Sequence, residues 1–247
     1  MKKFFVIALL AAFGYYLVAS FVYMPFGENR MGLAENQETL GAYYLDQTPT
    51  VSKVSNVVTA IVVNYRGFDT LGEVTVLFLA SAGLASILYR RKEDDEEEVE
   101  RLNKPSSSLL QTGSKFLFPL VVLLGIYVFI HGHLTPGGGF QGGAIIATGF
   151  LLMLIAYKKY HVSHGMLTWV ESLAGILFVT IGIWGLVTGG TFLENSFLPK
   201  GTLNSLISGG AIPIIYIAVG FKVAAELTGV LDILLNTKED KPKIDKA

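Results

Sequence analysis

Residues 116–133 read FLFPLVVLLGIYVFIHGH, a run that contains no Asp, Glu, Lys or Arg. A helix rises 1.5 Å per residue, so a run of this length approaches the ~30 Å thickness of the hydrocarbon core of a bilayer. Lys115 stands directly before it and marks a boundary with water. The stretch therefore predicts a membrane-spanning helix, and the same test can be applied along the chain in both directions.

Five further stretches are also long and apolar enough to cross a bilayer, and charged residues collect between them. They are Phe4–Met24, Thr70–Tyr89, a stretch that ends at Tyr157, Leu167–Val187 and Leu203–Phe221. Half of all residues are hydrophobic (51%) and only 16% are charged, which a water-soluble domain of 247 residues would not show. We predict an all-α integral membrane protein with about six transmembrane helices.

The first stretch has a second interpretation. Lys2 and Lys3 precede an apolar run, which is also the pattern of a cleaved signal peptide. The run is longer and more aromatic than a signal core, and no clear small-x-small cleavage site follows it. Its length favours a retained helix.

Val51–Tyr65 has a different pattern, with apolar residues at helical spacing and polar ones such as Lys53 and Asn56 opposite them. The segment is too short and too two-faced to span a bilayer. We predict one amphipathic helix that lies in the membrane interface.

Basic residues indicate the orientation of the chain. With six spans, one side of the membrane receives Lys2, Lys3, Arg90–Lys92, Arg101, Lys104, Lys115, Lys158, Lys159, Lys222 and the C-terminal lysines, and the other receives Arg30, Lys53, Arg66 and Lys200. The positive-inside rule then predicts that both termini are cytoplasmic. We therefore predict a multi-pass protein of the plasma membrane.

An acidic cluster, Glu93 through Glu98, follows the second predicted span and suggests a boundary. We predict a two-span module at residues 1–92, a charged cytoplasmic linker at 93–108 and a four-span module at 109–247.

Composition excludes several classes of function. The net charge of −1 gives no electrostatic basis for binding nucleic acid. The absence of cysteine excludes disulfides, a catalytic thiol and cysteine-ligated iron–sulfur clusters, and no nucleophile–base pair or metal constellation stands out. We expect no cofactor or metal in this chain and no enzymatic activity of the chain alone.

An ionisable residue inside a span needs a reason, since hydrocarbon tolerates charge poorly. Glu73 lies about one turn inside the second predicted span, and we interpret it as an ion-path residue that faces the bundle. A neutral, hydrogen-bonded structural acid is the alternative. Asp69 lies nearer the interface, where a pair with Arg66 would explain it.

Four further residues are weaker ion-path candidates. His131 and His133 end the third predicted span and could relay protons or serve as hydrogen-bonded structural residues. Glu171 lies where its side chain could extend to water. Lys222 would anchor the sixth span at the membrane edge and pair with Glu226 on the helix surface.

The segment between the third and fourth spans is rich in glycine: Thr135, Pro136, Gly137, Gly138, Gly139, Phe140, Gln141, Gly142 and Gly143. It lacks the lysine and serine or threonine of a phosphate-binding loop and follows a membrane helix, so nucleotide binding is disfavoured. Glycines here permit an abrupt turn or a close approach of helices, as do those of the fifth and sixth spans.

Two motifs resemble a known family. The stretch HGHLTPGGGFQGG, residues 131–143, together with Gly220-Phe-Lys-Val223, resembles the B subunit of Mrp-type sodium/proton antiporters over about residues 109–235. The stretch NYRGFDTLGEVTV, residues 64–76, looks like the C-terminal tail of the large Mrp A subunit. A short tail-like piece joined to a B-like module is typical of the Mrp-related membrane-bound hydrogenases and sulfane sulfur reductases.

The resemblance implies a non-redox membrane subunit of a sodium- or proton-translocating module, with Glu73 and Asp69 on the ion route and His131, His133, Pro136 and Phe140 in the B-subunit signature. Implied partners are antiporter-like C and D subunits, small E, F and G subunits and a peripheral arm that holds the iron–sulfur clusters. Alternatives are a subunit of a stand-alone antiporter, a purely structural helix-packing subunit, and an independent channel or carrier.

Overall fold

The computed structural model describes residues 2–23, 40–92, 106–157 and 160–236. These residues form helices and no strands. The helices are α1 (Lys2–Tyr23), α2 (Leu40–Gln47), α3 (Val57–Ala60), α4 (Gly67–Lys92), α5 (Ser108–Ile130), α6 (Gly139–Ala156), α7 (His164–Gly189) and α8 (Ile212–Asn236), with π-helical turns at Thr48–Ser52 and Ile61–Tyr65. The predicted all-α class is confirmed.

Five of these helices, α4 to α8, are long and apolar enough to cross a membrane. They correspond to the second to sixth predicted spans. The first predicted span coincides with α1, and its passage through the membrane stays a prediction. Most of the predicted linker and the C-terminal lysines lie outside the described residues.

The chain divides into two compact units, Met1–Tyr43 and Tyr44–Ala247. The first contains α1. In the second, α8 is the central helix and packs against α4, α5, α6 and α7, while α5 also packs against α6. Side chains of α8 such as Ile215, Val219 and Val223 are almost fully buried. Since 61% of its most apolar window is buried inside the chain, against 11% for α4, α8 is protected from lipid by its neighbours.

The sixth span differs from its prediction. Residues 202–211 form turns, and the helix begins at Ile212 rather than Leu203. Gly209 and Gly210 take positive φ angles of 84° and 60°, which a continuous right-handed helix does not allow. Pro213 suits the first turn of the helix that follows, because no intrahelical partner is needed there for its nitrogen. The later start moves Lys222 from the end of the span to its middle.

The predicted amphipathic helix Val51–Tyr65 is also corrected. Lys53, with a φ of 55°, ends the first π-helical turn, and α3 begins only after Asn56. The predicted apolar face is only partly buried: Val54 is fully buried but Val58 is 65% exposed, and the polar Thr59 is fully buried. The segment is broken because its polar groups bind backbone of the loop between α5 and α6.

Candidate functional site

The loop between α5 and α6, residues 131–138, is here called the signature loop, and Asn56 binds it to the segment before α3. The side-chain amide of Asn56 donates to the carbonyls of Gly132 (2.9 Å) and Thr135 (3.0 Å), and its carbonyl oxygen caps α3 at Val58 N and Thr59 N. The backbone amides of Ser55 and Asn56 both donate to His133 O. One asparagine thus joins the signature loop to the start of α3.

A buried chain of hydroxyl groups extends this junction to α8. Tyr216 donates its phenolic proton to Thr59 Oγ1 at 3.0 Å, and Thr59 donates to the carbonyl of Gly132 at 2.6 Å. Both hydroxyl donors are used, and a fully satisfied buried network of this kind favours a single structure. The network therefore fixes the positions of the signature loop, α3 and α8 relative to one another.

The two histidines of the loop lie in different surroundings. His131 is half-buried; its ring stacks on Tyr127 at 4.3 Å between centroids and approaches the Tyr127 carbonyl at 3.2 Å. His133 is fully buried, and neither of its ring nitrogens makes a well-formed hydrogen bond to the described residues. Burial lowers the pKa of His133 below 6.5, an effect that nearby backbone groups of Ser205 and Ile130 partly oppose.

The glycine cluster is divided between loop and helix. Gly139, Gly142 and Gly143 belong to the first turns of α6, where a Cβ atom would lie within 2.8 Å of backbone oxygens of Tyr216, Gly125 and Gly220 respectively. Phe140 packs against the main core, while Pro136 and Gln141 are exposed. The sequence predicted an abrupt turn or a close approach of helices, and the second applies to Gly139, Gly142 and Gly143, which let α6 approach α5 and α8 closely.

Glu73 and Asp69 both lie on the exposed surface of α4. The prediction that Glu73 faces this chain's own bundle is therefore wrong, since the core side of α4 is made by Val74. Asp69 forms the predicted ion pair with Arg66, and both side chains are more than half exposed.

Glu171 and Lys222, which were expected at the membrane edge, come together inside the helix bundle. Lys222 Nζ lies 2.6 Å from Glu226 Oε1 and 3.6 Å from Glu171 Oε1. Lys222 is 8% exposed and Glu226 3%, so the pair does not lie on a helix surface. The predicted pair of Lys222 with Glu226 is confirmed. Its predicted position on the helix surface was wrong, because the end of the span was placed at Lys222.

Sequence reasoning missed three polar residues next to this cluster. Asp232 is buried and its Oδ2 lies 3.0 Å from His164 Nε2, which is itself exposed. Thr228 is fully buried, and its hydroxyl has no hydrogen-bond partner among the described residues. They were missed because His164 precedes the fifth predicted span, which begins at Leu167, and Thr228 and Asp232 follow the sixth, which ends at Phe221. Within the described ranges, no group of three His, Asp or Glu side chains is arranged to hold a metal ion.

Five apolar helices, close contacts between glycine-bearing helices and charged side chains in the interior define the class: a multi-pass protein of the plasma membrane. Comparisons give the family. Residues 109–229 match the family described as a domain related to the MnhB subunit of Na⁺/H⁺ antiporters, and residues 4–105 match the family described as the E subunit of MBH.

Two relatives span different parts of the chain. An uncharacterized protein of Methanocaldococcus jannaschii is 34% identical over 78% of this chain and 82% of its own length. The B subunit of a Na⁺/H⁺ antiporter from Bacillus subtilis is 33% identical over 38% of this chain and 68% of its own length. The chain belongs to the family of Na⁺/H⁺ antiporter B subunits, and its N-terminal part adds the second domain.

Two solved structures share the fold. A chain of the membrane-bound sulfane sulfur reductase, an archaeal respiratory membrane complex, is 41% identical with a TM-score of 0.72, over 95% of this chain and 98% of that one. A chain of the Mrp complex from Dietzia sp. DQ12-45-1b is 26% identical with a TM-score of 0.67, over 98% of this chain but only 27% of that one. The protein is thus a membrane subunit of an Mrp-type ion-translocating module and not an enzyme on its own.

Proposed function

We propose that this subunit works in an energy-conserving respiratory complex of the sulfane sulfur reductase or hydrogenase type, where it forms part of a sodium and proton path. The full-length match to a sulfane sulfur reductase chain carries the proposal, because nearly all of both chains align. The match to the antiporter B subunit leaves most of this chain unaligned. A subunit of a stand-alone antiporter is the second possibility, supported by the Mrp complex.

The proposed partners follow from the same match. They are antiporter-like C and D subunits, small E, F and G subunits and a peripheral arm with iron–sulfur clusters. This chain, which has no cysteine, would hold no cluster itself. Affinity purification from native membranes, followed by iron and acid-labile sulfide analysis, tests the respiratory assignment. An intact complex of membrane subunits without iron would favour the stand-alone antiporter.

Glu73 is the residue of α4 that we assign to the ion path. It is exposed on α4 next to apolar surface, with Val76 and Leu79 close by in sequence and both more than 60% exposed. A carboxylate in that position is costly unless another subunit supplies a polar or cationic group. We infer that this face of α4 meets a neighbouring subunit and that Glu73 lines the path between them.

The test is sodium-dependent proton transport by the complex in proteoliposomes. We expect Glu73→Gln to reduce transport at least tenfold while the complex assembles normally. Asp46→Asn, which neutralises an exposed carboxylate just before the first π-helical turn, serves as the control and leaves transport unchanged. Normal transport by an assembled Glu73→Gln complex would instead favour a purely structural subunit, whose glycine-mediated helix contacts are its main contribution.

A further inference from the structure

We propose that Lys222, Glu226 and Glu171 hold one exchangeable proton inside the membrane, and that Asp232 and His164 connect this site to the surface. The proposal rests on the proposed function, since it adds to the ion path of the same complex a proton site within this chain. The three residues Lys222, Glu226 and Glu171 are here called the charged triad.

The geometry of the charged triad places two carboxylates around one ammonium group. Lys222 Nζ is 2.6 Å from Glu226 Oε1 on the same helix and 3.6 Å from Glu171 Oε1 on α7. The side chain of Glu226 is fully buried, and those of Lys222 and Glu171 are 11% and 20% exposed. Lys222 is also near the middle of α8, so water is distant along the helix in both directions.

The charged triad needs one more positive charge to be neutral. A lysine and two ionised glutamates carry a net charge of −1, and an uncompensated charge in a buried site is strongly unfavourable. Two like charges that share a site raise the proton affinity of one of them. One proton on a carboxylate neutralises the triad.

A second observation indicates where that proton resides. Glu226 Oε2 is buried and makes no well-formed hydrogen bond to the described residues, although Oε1 of the same carboxylate accepts a hydrogen bond from Lys222. The carboxylate of Glu171 lies close enough to Glu226 to interact with it through a hydrogen bond, which two ionised carboxylates cannot form with each other because neither has a donor. A proton on Glu226 supplies that donor, with Glu171 as the acceptor, so Glu226 is the residue that we assign to the proton.

The neighbouring helices favour a proton over a metal ion. α4 presents the ring of Phe78, whose centre lies 5.2 Å from Lys222 Nζ, and α6 has no Asp, Glu, His, Lys or Arg between Gly139 and Ala156. Other ionisable groups on the helices around α8 are Asp69 and Glu73, both exposed, Lys115, which lies over the Tyr157 ring, and His164, which pairs with Asp232. The ammonium of Lys222 would repel a second cation at this short range.

The pair Asp232–His164 provides the connection to the surface. Asp232 follows Glu226 on α8 by six residues, and His164 precedes Glu171 on α7 by seven. Each pair is therefore separated by about 10 Å along the axis of its helix. Thr228 lies between Glu226 and Asp232 in the sequence, with a buried hydroxyl that can both donate and accept. His164 has a side chain that is 60% exposed, so its ring is in contact with the surroundings of the chain as well as with Asp232.

The experiment compares two variants of the complex in proteoliposomes. Glu226→Gln removes the proton-binding oxygen, and the double variant Lys222→Gln with Glu226→Gln removes the internal ion pair as well. We expect sodium-dependent proton flux to fall at least tenfold in both. Glu194→Gln, in the loop after α7, is the control and retains wild-type flux. A structural ion pair predicts the opposite for the double variant, which would recover flux because the two charges of the buried pair are removed together and only Glu171, the most exposed member of the triad, keeps its charge.

Infrared difference spectra of the same complexes separate this proposal from the proposed function. The wild type shows the carbonyl stretch of a protonated carboxylic acid that shifts in D₂O, and the band disappears in Glu226→Gln. A wild-type complex without sodium-dependent flux would refute the proposed function, while the band would still decide the proton site. Absence of the band, a band that responds to sodium but not to D₂O, or wild-type flux in assembled Glu226→Gln would each overturn the inference.

Discussion

The rings of His131 and His133 are two residues apart in the signature loop and differ in their exposure to water. His131 is half-buried against Tyr127, whereas His133 is fully buried beneath the segment that carries Asn56. Burial holds the pKa of His133 below that of a histidine in the unfolded chain. His133 is therefore better suited to be a neutral structural residue than a carrier of protons.

Acidification should destabilise the protein through His133. Between its lowered folded pKa and the ordinary value near 6.5, the unfolded chain binds more protons than the folded one. Stability is then complete above 6.5 and falls as the pH decreases, by up to about 1.4 kcal/mol per pH unit from this group. We expect the thermal midpoint of the complex to fall less steeply between pH 7 and pH 5 in His133→Gln than in the wild type.

The matched control is His161→Gln, in the exposed segment before α7, which leaves the surroundings of His133 unchanged. If the slope were reduced equally in both variants, or only in the His161 variant, the structural role of His133 would be refuted.

At the scale of helices, the glycines of α6 set how closely α5, α6 and α8 approach one another. Replacement of Gly142 by Ala puts a Cβ atom 2.5 Å from the carbonyl oxygen of Gly125 and 2.9 Å from Phe129 Cβ. Backbone must move to relieve the first contact, and overpacking of this kind costs about 1–3 kcal/mol. We expect Gly142→Ala to lower the thermal midpoint of the purified complex and to reduce assembly.

Gly175→Ala on α7 is the control, because nothing lies within 4 Å of the added Cβ among the described residues. An alanine at an open helical site is favoured by roughly 0.5–1 kcal/mol over glycine, so this variant should be as stable as the wild type or slightly more stable. Equal effects of the two substitutions would show that helix propensity, and not packing, governs the α5–α6–α8 contact.

The helices themselves could be predicted from the sequence, because bilayer thickness sets a length that apolar runs reveal directly. The start of α8 could not, since the stretch from Leu203 to Ala211 is apolar enough to extend a span and is redirected by the positive φ angles of Gly209 and Gly210. That one boundary placed Lys222 at the membrane edge and hid its contact with Glu171. Contacts between α7 and α8 depend on helix pairing, about which a single sequence carries little information.

The short segment around Asn56 illustrates a second limit. Apolar spacing predicted one interfacial helix, but hydrogen bonds from Asn56 and Thr59 to the signature loop break it and bury its polar side. The hydrogen bonds from these side chains to backbone carbonyls of the signature loop outweigh the local helical periodicity of the segment. The family motif at residues 131–143 identified one partner of this contact, the signature loop, but neither Asn56 nor Thr59 belongs to a motif.

At the scale of the whole molecule, the charged groups do not form one continuous path within the described residues. Glu73 lies on the outer surface of α4, whereas the charged triad is enclosed between α7 and α8. A complete route would need polar groups from neighbouring subunits to meet Glu73. This arrangement fits one wall of a translocation path better than an independent channel or carrier.

We therefore expect the purified chain alone to conduct neither sodium nor protons in liposomes. The physical reason is that α4, without a neighbour, presents Glu73 to lipid, and no polar groups of another subunit are there to complete the path. The measurement is proton flux, followed with a pH-sensitive dye across a sodium gradient at equal reconstituted protein. The intact complex provides the positive control, and its flux should depend on sodium. Sodium-dependent flux through the isolated chain, lost in Glu226→Gln, would show that one subunit holds the whole path and would contradict its assignment as a wall of a larger module.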